Sequence, residues 1–356
     1  MVVRTSLPAG QQYARTRWGT HASGEAFDRK KFSYLTEQAR EFISQQGFCV
    51  IGGLDNQGRP VALLAPGLPG FVETPDEHTC LLRLRPDPGT SRIVQRLRMA
   101  ASNGQQAQLG LFFICHPTRE RLCVHGTAEI LSNVSSHSLV SSLRSETIYI
   151  RLHVHQSFFH CSKYIKTRIP GLTVPTGAFP HAAMELAYLN GFSLSSLIEP
   201  VRKFIARQLL CFLCTVDRNG QPAVNHRGGA AGFLLTLPPN VKSTGGIILL
   251  PDYAGNGAFE AIGNIFETGK AAILIPNYVD QVAVCATGSA FVLEPENLIP
   301  ALLHKCAGAE RIIALAVERV EVQSGYNGQW AAALAYEVAR SSTIPLSSDS
   351  SEVCSV

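Results

Sequence analysis

The sequence predicts a mainly β fold of the α+β kind, two tandem small barrels with peripheral helices. Three observations predict it. The chain repeats itself at a constant offset. Each repeat strings short apolar runs between turn-forming residues. The composition, with 46% hydrophobic and 16% charged residues among 356, supplies two cores, and that length suits two domains better than one.

The repeat organises everything else. Residues 42–71 match residues 204–233 without a gap, each pair 162 positions apart. Identical pairs include Phe42/Phe204, Gln46/Gln208, Cys49/Cys211, Asp55/Asp217, Gly58/Gly220, Pro60/Pro222, Gly67/Gly229 and Phe71/Phe233. The same offset then pairs Cys123/Cys285, Gly126/Gly288 and Ala128/Ala290. An offset held over so long a stretch marks two copies of one domain.

Each copy opens with a helix, Tyr34 to Gln45 and Ser196 to Arg207, on the helical spacing of residues such as Leu197, Val201, Phe204 and Ile205. A strand follows, then a tight turn, Asp55-Asn56-Gln57-Gly58 and Asp217-Arg218-Asn219-Gly220. Asp and Asn accept turn geometry and Gly supplies positive φ. Further strands are read at Gly245 to Leu250, Ala271 to Ile275 and Val282 to Leu293, with a short helix at Phe259 to Glu267. Strand-rich halves with one or two helices point to small barrels, not a parallel sheet. The domains are then 1–168 and 193–340, joined by a Pro-, Gly- and Ala-rich linker at 169–192. A Ser-rich tail at 341–356 is expected to be disordered.

A net charge of +4 with scattered Lys and Arg gives no nucleic-acid footprint. No run approaches the ~20 apolar residues that span a bilayer, and Met1 to Gln12 lacks the apolar core of a signal peptide. A cytoplasmic location is the expectation. The ten cysteines lie mostly in apolar runs and read as buried free thiols.

Residues 216–229, from Val216 through Asn225-His226-Arg227-Gly228-Gly229, resemble the opening hairpin of the pyridoxamine 5'-phosphate oxidase-like split barrels. Pro251-Asp252-Tyr253-Ala254-Gly255-Asn256-Gly257 and Gly263-Asn264-Ile265 resemble a Gly-Asn-Gly branch of that family. Residues 119–126 and Cys161-Ser162-Lys163-Tyr164-Ile165-Lys166 look like motifs of its tandem members. The resemblance covers roughly residues 37–168 and 196–293. It implies two split β-barrels forming an internal pseudo-dimer, with FMN in the groove between them. It places Arg227, Gly228, Gly229, Asp252, Gly255, Asn256, Gly257, Asn264, Lys163 and Tyr164 at the cofactor, with Arg227 on its phosphate. The loop at Gly255-Asn256-Gly257 opens a helix whose amides suit an anion. There is a departure. The oxidase carries a Ser-Arg-Lys-like cluster near this loop, and 252–259 holds no Arg or Lys. That argues against pyridoxamine phosphate as substrate and leaves the phosphate to Arg227, backbone amides and Lys163.

At the repeat offset, Arg227 corresponds to Ala65 and His226 to Leu64, so one competent flavin site per chain is expected. Plainer readings stand beside these. The plainer alternative for Arg227 is an ordinary surface arginine. His226 alternates with it along the strand, so packing is an alternative to proton transfer. His153, His155, His160 and Cys161 have a metal-like composition. Cys211 and Cys214, three apart on a strand, face opposite ways and read as core. His226 and Cys161 are the catalytic candidates. The leading function is an FMN-dependent oxidoreductase acting on a small molecule, as a monomeric pseudo-dimer or a homodimer. The rivals are a flavin carrier or sensor, and a haem-handling protein using the histidines at 153–160.

Overall fold

The computed structural model describes residues 7–85, 88–131, 147–175, 186, 188–325 and 328–345. Two helices, α1 (Ala9–Arg17) and α2 (His21–Asp28), precede the first barrel. That barrel contains α3 (Glu37–Ser44), β1 (Phe48–Leu54), β2 (Pro60–Pro66), β3 (Val72–Asp76), β4 (Thr79–Leu84), α4 (Pro88–Ser102), β5 (Ala107–Cys115), β6 (Glu120–Leu131) and β7 (Ile148–Phe159). The second contains β8 (Ser193–Leu194), α5 (Glu199–Ile205), β9 (Leu210–Val216), β10 (Pro222–Gly228), β11 (Leu235–Leu237), β12 (Ile247–Asp252), α6 (Glu260–Thr268), β13 (Lys270–Asn277), β14 (Val282–Leu293), α7 (Pro300–Lys305) and β15 (Arg311–Ser324). Helix α8 (Gln329–Thr343) closes the described chain.

The two sheets have the same strand order. The first runs β2-β1-β5-β6-β7-β4-β3 and the second β10-β9-β13-β14-β15-β12-β11, with β8 added on β15. Every paired strand is antiparallel. Register repeats at the offset read from the sequence: Val50 faces Leu64 as Phe212 faces His226, and Phe112 faces Cys123 as Leu274 faces Cys285. Even the bulge recurs, at His125/Gly126 and at Thr287/Gly288. The protein is therefore mainly β, two tandem split barrels.

The hairpin turns match as well. Asp55 Oδ1 accepts from the amides of Gln57 and Arg59, and Asp217 Oδ1 from those of Asn219 and Gln221. Gly58 and Gly220 take φ of +68° and +82°, which only glycine adopts freely. The opening helices are shorter than expected. In the first, the Thr36 hydroxyl accepts from Ala39 N at 3.2 Å and so sets the start. In the second, Pro200 in the first turn fixes a start near Glu199.

Strand alternation divides two kinds of core. Cys49 and Ile51 face the first barrel's interior, and Cys211 and Leu213 the second's. Val50, Phe212 and Cys214 point the other way, into a third cluster shared by both barrels. Both faces of β1 and β9 are thus buried, which is why these strands read as unbroken apolar runs. Strand β2 packs on β13 and β10 on β5, the exchanged contacts of a two-fold pair. At Gly52 the approach is so close that a Cβ would lie 2.8 Å from Cys214 Sγ.

Of the expected linker at 169–192, residues 176–185 and 187 lie outside the described residues. Its described start carries a short bridge between Pro170 and Val174. Of the expected tail, residues 346–356 lie outside the described residues, and α8 continues to Thr343. Among the described residues, no helix is long and apolar enough to cross a membrane.

Candidate functional site

A cavity of about 130 Å³ opens in the groove between the barrels. The first barrel contributes Arg121 from β6 and His160, Cys161, Lys163 and Tyr164 from the segment after β7. The second contributes His226, Arg227 and Gly228 from β10, Asp252 from the end of β12, the loop at 255–259, Glu260 at the start of α6, and Arg311. Of the residues expected at the cofactor, Gly229 and Asn264 do not line it. A Cβ at Gly229 would meet Phe233, so this glycine serves a turn. Asn264 is turned into the core, where its amide donates to Thr215 Oγ1 at 3.2 Å.

Arg227 is already engaged. Its Nη1 donates to Asp252 Oδ1, while Arg311 Nε donates to Asp252 Oδ2 at 2.7 Å. Asp252 is only 3% exposed and so bridges two guanidinium groups. Arg227 keeps a buried Nε with no hydrogen-bond partner. Arg311 stacks over Trp18 and Phe259 at 4.9 and 4.7 Å, which ties this ion cluster to the helical pair before the first barrel.

Arg121 is a second buried cation. Its Nη2 donates to the Cys161 carbonyl and, at 3.4 Å, to the Lys163 carbonyl, fixing the segment that carries Lys163 and Tyr164. Burial lowers the Arg121 pKa, and Arg227 adds to the shift. Cys161 is exposed, with its sulfur 3.6 Å from Arg121 Nη2. Tyr164 donates to Ala254 O at 3.1 Å and stacks on Tyr253 at 5.7 Å. Gly228 lies so near that a Cβ there would come within 2.8 Å of the Tyr164 carbonyl.

The loop differs from the expected anion cradle. Asn256 Oδ1 accepts from Ala258 N at 3.1 Å, and the helix begins only at Glu260. The Glu260 carboxylate thus sits at the helix N-terminus itself, where an anion is favoured, and accepts from Lys31 Nζ at 2.6 Å. Burial raises its pKa, but Lys31 with His125 and His160 outweighs that and holds it down to about 2. A carboxylate at the helix end repels a second anion there, so a phosphate is left to the guanidinium groups and Lys163.

His226 and Arg227 do leave opposite faces of β10, yet both reach the cavity wall. His226 is 5% exposed, and neither ring nitrogen has a hydrogen-bond partner. Its ring meets those of His116 and Phe212, both at 5.8 Å. His160 Nε2 lies 3.0 Å from Cys123 Sγ, and its ring stacks on Phe27. Burial, then Arg121, pushes His160 down to about 3, and the same order of causes puts His226 well below its ordinary range. His153 and His155 face outward, away from His160, next to Glu129 and Thr127. Cys211 and Cys214 are both buried in different cores.

The pseudo-equivalent groove is closed. Leu64 and Ala65 replace His226 and Arg227 there, and α8 lies over it. Trp330 is 1% exposed against Phe48, and Glu337 Oε1 accepts from Gly47 N at 2.6 Å. A cavity of about 20 Å³ is left, lined by Leu64, His116, Tyr278 and Glu337 among others.

Sequence reasoning assigned no role to Arg121, Glu260 or Arg311. Arg121 could have been found, because it opens the apolar run Leu122-Cys123-Val124 inside the stretch 119–126 that the resemblance had singled out. Glu260 and Arg311 take their roles from partners 229 and 59 positions away, and no local pattern shows that.

No family model matches the sequence, and no curated protein matches it. Solved structures do. A putative pyridoxamine 5'-phosphate oxidase from Lactobacillus delbrueckii is 23% identical, with a TM-score of 0.29, over 36% of this chain and 94% of its own. HupZ of Group A Streptococcus is 16% identical, with a TM-score of 0.28, over 36% and 95%. HutZ, a haem storage protein from Vibrio cholerae, is 11% identical, with a TM-score of 0.23, over 36% and 94%. Each covers about a third of this chain, the size of one barrel, and this chain resembles the split-barrel proteins of the pyridoxamine 5'-phosphate oxidase family.

Proposed function

We propose that this chain is an FMN-dependent oxidoreductase acting on a small molecule, with its flavin in the cavity between the barrels. One observation carries the reading: Arg121 and Lys163 of one barrel and Arg227 of the other converge on that cavity. With Arg311 they supply four positive charges against the two negative ones of Asp252 and Glu260, an excess that suits a phosphate dianion.

Bound FMN would supply the hydride chemistry. The chain's own residues bind and orient. Asp252 holds Arg227 by one nitrogen, Nη1, and leaves other guanidinium N–H donors for a phosphate oxygen. Lys163, exposed at the mouth, adds a mobile charge. Tyr164 and Tyr253 form a stacked wall, and Phe112 shields the floor from water. His160 and His226 are neutral at pH 7, so each offers a lone pair and one N–H without carrying charge. Cys161 stands at the entrance beside Arg121.

The test is direct. Purified protein should carry flavin absorption or gain it on adding FMN, and the bound flavin should be reduced and reoxidised in turnover. Bound flavin that never turns over would indicate a carrier or sensor. A haem-handling role is the second reading, favoured by the neutral, partnerless imidazole of His226 in the cavity wall. A Soret band on adding haemin, with no flavin uptake, would replace the flavin reading.

A further inference from the structure

We infer that His226 is a specificity-determining contact to the ring system of the bound ligand, separate from the phosphate contact. The inference rests on the flavin reading of the cavity and adds to it a second recognition element.

His226 is 5% exposed, yet both Nδ1 and Nε2 lack a hydrogen-bond partner. A neutral imidazole always carries one N–H and one lone pair. Leaving them unpaired in the interior carries a free-energy penalty, and folded proteins seldom accept it without a reason. The fold itself does not require an imidazole at this place. The twin position in the first barrel, in the same strand register opposite Val50, is Leu64, which is 1% exposed. One backbone site thus accepts a plain apolar side chain in one barrel and carries an unpaired imidazole in the other. The imidazole stands in the barrel whose groove is open.

The surroundings keep the ring neutral. Burial is the main cause, and Arg121, His116 and Arg227 oppose a further positive charge. His116 does not satisfy it: its Nδ1 is bound to Lys166 O at 2.8 Å, and its Nε2 makes no hydrogen bond to His226, whose ring centroid is 5.8 Å away. What His226 offers is one N–H donor and one lone-pair acceptor, which diverge across Cε1, so a ligand edge meets one of them at a time. The chemistry that fits is a heteroaromatic ring with a carbonyl oxygen or a ring N–H at its edge. The isoalloxazine of a flavin has such an edge.

The experiment compares wild type with His226→Leu, which copies the twin position, and His226→Gln, which restores a donor and an acceptor. FMN and riboflavin are each titrated, and thermal unfolding of the ligand-free proteins is recorded. The expected result is that His226→Leu unfolds at or above the wild-type temperature. It should bind FMN and riboflavin about two- to tenfold more weakly, by equal factors, the worth of one neutral hydrogen bond. His226→Gln should recover much of the loss. Unchanged affinity for both flavins in His226→Leu, or a ligand-free variant several degrees less stable, would make His226 a packing residue and overturn the inference. A wild type that takes up neither flavin removes the flavin reading itself. The same variants are then titrated with haemin, and loss of haemin binding in His226→Leu with intact stability would make His226 an iron ligand and overturn the ring contact. Haemin binding indifferent to the substitution, or no binding of any of the three, ends it.

Discussion

Arg227 illustrates how far a single residue's role depends on its partner. Its charge is shared with Asp252, which also holds Arg311, so the phosphate proposed for it would meet a reapportioned ion cluster and not a free cation. Arg227→Ala should still remove one charge-assisted contact, about 1.5–3 kcal/mol, or roughly ten- to 150-fold in FMN affinity. Riboflavin, which has no phosphate, should bind almost as before, and Ala65→Ser, at the twin position, should be silent. Equal losses for both flavins would point to damage to the ion cluster instead. The buried histidines make a second prediction. His116 is pushed down to about 4, mainly by burial, and His160 to about 3. An unfolded chain takes up protons on both near pH 6.5, while the folded protein refuses them. The stability they contribute is therefore complete above about pH 6.5 and is lost as pH falls toward 4, by about 1.4 kcal/mol per pH unit per group. Glu260, held at about 2, adds a further loss below its unfolded value of 4.5. Denaturant midpoints between pH 7 and pH 4 measure the slope. A flat profile over that range would mean that the imidazoles are hydrated or paired.

Among the elements, the helical pair α1–α2 matters most to the site and was least legible. Its residues lie ahead of the repeat, so no twin segment draws attention to them. Yet Arg15, 1% exposed, ion-pairs with Asp28 at 2.7 Å and donates to the Ala258 carbonyl. Trp18 supports Arg311, and Lys31, just after α2, holds Glu260. The pair is thus strapped onto the loop and helix that form one wall of the cavity. The crossing of α1 over α6 depends on two glycines, since a Cβ on Gly10 would run into the Gly263 backbone. Gly10→Val should lift α1 from α6 at a cost of about 1–3 kcal/mol. Hydrogen exchange should rise across residues 9–28 while both barrels stay protected, and FMN should bind more weakly. Unchanged exchange in α1 would contradict the strap. By contrast, the hairpins, β14 and α6 were legible because turn residues and periodicity are local signals. Helix α8 was not, because its Ala-rich run carries no cap or repeat partner, and its burial depends on strands nearly 300 positions earlier, such as the one Gly47 leads into.

For the whole molecule, duplication within one chain removes the symmetry that a homodimer would impose. Two identical subunits would present two identical grooves, whereas two fused barrels can lose one. Here the loss has a structural cause at each level. Leu64 and Ala65 remove the polar pair, and Trp330 and Glu337 of α8 close the space that would remain. The sequence offset revealed the first change but not the second. The two are not equally reversible. Restoring charge with Ala65→Arg would bury a guanidinium in the first barrel's core, opposite Cys49, and should destabilise the protein without creating a site, because burial of an unpaired charge is costly. Removing Trp330 by Trp330→Ala should cost about 3–5 kcal/mol and likewise leave flavin uptake unchanged. Wild type and both variants, if folded, should therefore each titrate with one FMN per chain. Calorimetry, or flavin absorbance after gel filtration, gives that number. Two equivalent sites in the wild type would refute the asymmetry, and a second site appearing only in Trp330→Ala would show that α8 alone closes the twin groove and that the Leu64/Ala65 change is incidental.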